Sequence, residues 1–111
     1  YKTKNFFLFG NNFYSKIMFL NLKSLGYKVI GIIDNNKASK LSIQGTILIT
    51  PKIFKKRFSK IFLNSYIIVC NQNIKTINAI YNQLKKIGFE KNNLSFFTYR
   101  LSKKNNKSLF V

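Results

Sequence analysis

Asp34 is one of two acidic side chains in a chain of 111 residues that carries 20 Lys and Arg and no His. It stands in YKVIGIIDNN (27–36), after an apolar run and before two asparagines. Two roles suit a carboxylate there. It can end the strand and cap the D-N-N turn, its short side chain accepting from nearby backbone amides. Alternatively, it can meet a ligand hydroxyl at the strand end. A composition this depleted in acid keeps one mainly where it matters, which favours the second role without removing the first. Glu90, after Gly88 and Phe89, reads as a solvated loop residue.

The rest of the catalytic repertoire is thin. Two acids leave no paired carboxylates for glycosidase-type chemistry and no oxygen cage for calcium. A single cysteine and no histidine give zinc almost no ligands and rule out an internal disulfide framework. Cys70 ends the apolar run YIIVC (66–70); with no evident base beside it, a packed thiol is the better account than a nucleophile. Tyr81 and Lys85 have the Y-x-x-x-K spacing of short-chain dehydrogenases, but Tyr81 also belongs to the apolar face of a helix, so core packing accounts for it. The chain therefore reads as one that binds rather than one that catalyses alone.

The net charge of +18 admits two readings. It would steer the protein toward nucleic acid, anionic lipid or an acidic partner. It also fits compositional drift, because Lys, Asn, Ile, Phe and Tyr are abundant together, as an A+T-rich coding sequence favours, and the lysines are scattered. The densest basic segment is PKIFKKRFSK (51–60). On a helix its Ile53, Phe54 and Phe58 would face a sheet while Lys52, Lys55, Lys56, Arg57 and Lys60 face water. That pattern suits a solvated face or, alternatively, a contact with a polyanion or a membrane surface. A basic nucleic-acid-binding module is accordingly the alternative function.

The elements that must position these residues are legible from periodicity. Apolar runs at 5–9, 28–33, 46–49, 66–70 and 94–97 read as strands. Between them, 12–25 carries Tyr14, Ile17, Met18, Leu22 and Leu25 at helical spacing and stops at Gly26. Thr50-Pro51 gives an N-cap and a first-turn proline for a short helix to about Phe58. A third helix over about 74–87 places Ile74, Ile77, Tyr81 and Leu84 on one face and ends at Gly88. Residues 34–42 read as polar and turn-like. Strands apolar on both faces and alternating with helices indicate a mostly parallel sheet covered on both sides. Right-handed crossovers then predict a single α/β, doubly wound, Rossmann-like domain of about five strands, ordered short strand, second, first, YIIVC strand, last.

In such a sheet, ligands bind at the carboxyl ends of the strands where the order reverses. That rule selects the turn FGNNFYS (9–15) and Asp34. The turn leads into a helix N-terminus, whose free amides suit a phosphate. Asp34 lies at about the distance where dinucleotide folds place an acid for ribose hydroxyls. Against G-x-G-x-x-G, Gly10 matches the first glycine, while Asn12 and Ser15 replace the second and third. Asn12 brings a side chain into the path of an approaching pyrophosphate, so NAD(P) is disfavoured and a weaker, differently posed nucleotide remains open.

Taken together, FLFGNN (7–12), LGYKVIGIIDNN (25–36), IQGTILITP (43–51), YIIVC (66–70) and IYNQLKKIGF (80–89) resemble a known family. It is the small Rossmann-like domain of bacterial sugar-nucleotide and surface-polysaccharide biosynthesis proteins. Such domains precede sugar-nucleotide acyltransferases and nucleotide-sugar dehydratases and are attached to glycosyl- and methyltransferases. The resemblance implies a pocket for a uridine-diphosphate sugar formed by Gly10, Asn11, Asn12 and Asp34, with Asn71 lining it. The acyltransferase's left-handed helix repeats and catalytic His are absent, so the resemblance implies binding and positioning for an attached or partner enzymatic domain. A degenerate domain that only supports assembly is a further alternative.

These readings divide the chain into a nucleotide-sugar-binding domain at 1–100 and a basic tail at 101–111 without clear periodicity. The first residue is Tyr rather than Met, which suggests a processed chain or a piece of a longer protein. No apolar run is long enough to span a bilayer and no signal-peptide pattern is visible, so the expectation is a cytoplasmic protein.

Overall fold

A computed structural model describes residues 5–36, 43, 45–58, 60, 65–90, 93–98 and 109–110. The chain runs β1 (Asn5–Phe9), α1 (Phe13–Ser24), β2 (Val29–Ile33), β3 (Ile47–Ile49), α2 (Pro51–Arg57), β4 (Ser65–Cys70), α3 (Ile74–Lys86), β5 (Leu94–Thr98) and β6 (Leu109–Phe110). The turn expected over 34–42 and the tail expected at 101–111 lie outside the described residues at 37–42, 101–108 and 111.

One sheet forms in the order β3-β2-β1-β4-β5-β6. The first five strands are parallel, in the expected order. β6 pairs antiparallel with β5, Phe97 opposite Phe110 and Thr98 opposite Leu109. Two residues carry no readable period, which is why the sequence reading leaves this strand in the tail.

The central strands are apolar on both faces because both are covered. Phe6, Leu8, Ile68, Cys70 and Phe97 pack with Met18 and Leu22 of α1. Phe7, Phe9, Ile67 and Val69 pack on the opposite face with Phe54 of α2 and Ile77, Ile80 and Leu84 of α3. Phe54 anchors its short helix: its ring lies 4.6 Å from that of Phe7, edge-on, and stacks at 5.6 Å on Phe89. Lys52, Lys55, Lys56, Arg57 and Lys60 are exposed, as their spacing predicts.

Two helix faces differ in detail from expectation. In α3, Ile80 is buried while Ile74, the first residue of the helix, is exposed. In α1 the buried residues are Ser15, Met18 and Leu22, and Leu25 at the C-cap is exposed.

β2 departs from strict alternation. Phe6 pairs with Val29 but Phe7 pairs with Gly31, leaving Ile30 as an extra residue at a bulge. Val29 and Ile32 consequently face α1, while Ile33 faces α2 and α3. Gly31 lies where a Cβ would come 3.0 Å from Ile47 Cγ1, so the absent side chain lets β3 close onto β2.

Candidate functional site

The site is built at the carboxyl ends of β1, β2 and β4. Gly10 turns the chain out of β1 with φ +115°, and its N–H donates to Ile33 O at 2.7 Å. A Cβ on Gly10 would lie 2.7 Å from Cys70 O and 2.8 Å from Asn12 Nδ2. Only glycine accommodates both the backbone angle and this approach.

Asp34 continues the ladder beyond β2, its N–H donating to Ile49 O at 2.9 Å. Its carboxylate does two things at once. Oδ2 accepts from Asn11 N at 2.7 Å, across to the glycine turn, and Oδ1 accepts from Asn36 N at 2.7 Å. The second bond is the D-N-N turn cap and the first ties two strand ends together. Each carboxylate oxygen has a further lone pair, and Asp34 is half-buried, so acceptor capacity is left for a ligand. Asn35 forms a reciprocal amide pair with Gln83 of α3, at 3.1 and 2.8 Å.

Asn12 is the N-cap of α1. Its Oδ1 accepts from Tyr14 N at 2.9 Å and Ser15 N at 3.1 Å, and its Nδ2 donates to Cys70 O at 2.9 Å. Ser15 completes a capping box: its Oγ donates to Asn12 O at 2.8 Å and accepts from Asn12 N at 3.1 Å. The two residues that replace glycines thus satisfy the amides that a dinucleotide fold keeps for phosphate. Ser15 is fully buried, and a small side chain is what close helix–strand packing at that position requires.

Asn71 follows β4, its N–H donating to Phe97 O at 3.2 Å. Its Oδ1 accepts from Asn73 N at 2.8 Å, and Asn73 in turn caps α3 through Lys75 N and Thr76 N. The Tyr14 hydroxyl donates to Gln72 Oε1 at 2.5 Å, bridging α1 to the loop after β4. Gly10, Asn11, Asn12 and Asp34 are therefore one bonded unit, and Asn12 links it to Cys70, immediately before Asn71. The Tyr14–Gln72 and Asn35–Gln83 bridges carry no sequence signal, because each pairs residues from loops and helices far apart in the chain.

Cys70 is fully buried, and burial pushes its thiol well above the usual cysteine range. Tyr81 is half-buried on α3; burial first, then repulsion from Tyr66, pushes its phenol up to about 12. Lys85 is exposed. Among the described residues no three His, Cys, Asp or Glu side chains gather, and no helix is long and apolar enough to cross a membrane.

No family model and no curated protein matches the chain. Among solved structures, the chain is similar to the crystal structure of UDP-D-quinovosamine 4-dehydrogenase from Vibrio fischeri, with a TM-score of 0.69 and 17% identity. The match covers 97% of this chain and 93% of that one. Parallel strand order, helices on both faces and this likeness together make the chain a Rossmann-like α/β domain.

Proposed function

We propose that the chain is a nucleotide-sugar-binding accessory domain of a glycan biosynthesis protein, one that binds and positions rather than reacts. The observation that carries this reading is the bonded unit at the strand ends, where Asp34 reaches across to the Gly10–Asn12 turn. The likeness to a UDP-sugar dehydrogenase structure supports the ligand class. Gly10, Asn11, Asp34 and Asn71 frame the site, with Asp34 accepting from a ribose or base group. Asn12 fills the phosphate notch of the turn, so the diphosphate lies over it instead of within the helix N-terminus. An attached or partner enzymatic domain supplies the chemistry.

A thermal-shift and calorimetric panel of UDP-sugars, UDP and dinucleotides tests this. Stabilisation by UDP-sugars that Asp34→Ala abolishes is the expected result. Silence across the panel, or a response unchanged in Asp34→Ala, refutes the site and leaves an assembly role.

A second reading, a nucleic-acid contact through α2, rests on the exposed Lys52, Lys55, Lys56 and Arg57 of that helix. It predicts DNA or RNA affinity that falls steeply with salt and drops when Lys55 and Lys56 are neutralised.

A further inference from the structure

Helix α1 is apolar on two opposite sides. Ser15, Met18 and Leu22 face the sheet. Half a turn away, Phe13 is 66% exposed and Leu20 is 54% exposed, one above the other at helical spacing, while Ile17 between them is half-buried and packs back onto the core. Leu25 at the C-cap adds a third exposed apolar side chain, 71% accessible. The outward faces of the other two helices are unlike this: α2 presents lysines and arginine, and α3 presents Lys75, Asn78, Asn82, Lys85 and Lys86.

Charge decides what covers the outer side. The polar residues beside the stripe include exposed Lys16 and Lys23, and FYSKIMFLNLKS contains no acid. A second copy seated here would bring the same lysines and another net charge of +18 to the seam. An anionic bilayer reverses that sign. Phe and Leu flanked by Lys is also the composition of helices that lie in the headgroup region, where each nearby lysine adds attraction. We infer that α1 is a membrane-docking face, laying Phe13 and Leu20 into an anionic lipid surface with Lys16 and Lys23 at the headgroups. Phe13 directly follows Asn12, so docking brings the Gly10–Asp34 edge beside the lipid. The inference stands on α1 alone and does not depend on the ligand.

Co-sedimentation of the full chain with vesicles tests it, comparing phosphatidylcholine alone with phosphatidylcholine containing one-third phosphatidylglycerol. Binding is expected only to the anionic vesicles, and weakened by about tenfold or more in Phe13→Ser/Leu20→Ser, on the hydrophobic cost of two withdrawn side chains. Lys55→Gln/Lys56→Gln, on the opposite sheet face, should lose much less. The chain has no tryptophan, so Phe13→Trp gives a unique reporter whose emission should shift to the blue on anionic vesicles. That variant keeps an aromatic residue and tests the face without risking the fold. Equal loss from the α1 and α2 variants, or no emission shift, overturns the inference in favour of diffuse charge. Self-association that Phe13→Ser/Leu20→Ser abolishes, with no vesicle binding, overturns it in favour of a second copy.

Discussion

Asn12→Gly should lower stability and raise affinity for nucleotide phosphate at once. The substitution restores the second glycine of the phosphate turn at the residue that now fills it. Three hydrogen bonds leave with the side chain: those from Tyr14 N and Ser15 N to Oδ1, and that from Nδ2 to Cys70 O. Replacing an Asn N-cap by Gly costs only a few tenths of a kcal/mol. Losing the bond to the Cys70 carbonyl costs about 1 kcal/mol. Together these give about 1.5 kcal/mol, which in a domain of this size lowers Tm by about 8 °C. The backbone half of the capping box, Ser15 Oγ with Asn12 O and N, survives the change.

Affinity should move the other way. Two amides at the helix N-terminus become free to donate to an anion, and the space beside Gly10 opens. Hydrogen bonds to a charged acceptor are the strong ones, and one net bond gained corresponds to about tenfold in Kd for UDP or a UDP-sugar. Chemical denaturation gives the stability and titration calorimetry the affinity. A variant that loses both together would sink the reasoning, because it would make the Asn12 amide a ligand contact instead of a plug in the turn.

Three further outcomes follow from the same geometry. Gly10→Ala should cost about 3 kcal/mol, from a left-handed backbone angle plus a Cβ driven against the Cys70 carbonyl, and denaturant melts read it directly. Cys70 should react with a disulfide reagent only through unfolding, roughly a thousandfold slower in the native chain than in denaturant; fast native reaction would contradict its burial. The Tyr81 phenol is raised from 10.0 to about 12, so the folded chain holds that proton longer than the unfolded chain. Its contribution is therefore complete below pH 10, declines as pH rises toward 12, and disappears with the late phenolate phase in Tyr81→Phe.

Much of this fold is legible in the chain because its signals are local. Gly26 and Gly88 end helices, Thr50-Pro51 starts one, and the two-faced apolar runs at β1 and β4 require a sheet covered on both sides. The parallel order follows from that alternation and from the handedness of crossovers. The position of Asp34 at a strand end opposite the glycine turn is legible for the same reason. What the turn does with its amides is legible only in part: Asn12 and Ser15 are readable as departures from a glycine pattern. That they form a capping box and reach Cys70 O depends on where β4 lies.

Sequence alone determined the class of this protein: its period, its caps and its depletion of acids are written residue by residue, and neighbouring residues suffice to read them. Tertiary structure decided the rest. Strict alternation along VIGII would put Val29, Gly31 and Ile33 on one face; the bulge at Ile30 moves Ile33 to the other, and only the pairing with Phe6 and Phe7 makes it visible. The carboxylate of Asp34 could cap its own turn or serve a ligand as far as the chain could say. The structure gives it a third task, holding Asn11 N, because parallel packing brings residues 23 positions apart to one strand edge. Local chemistry sets what a side chain can bond; packing of distant strands sets which partner is within reach.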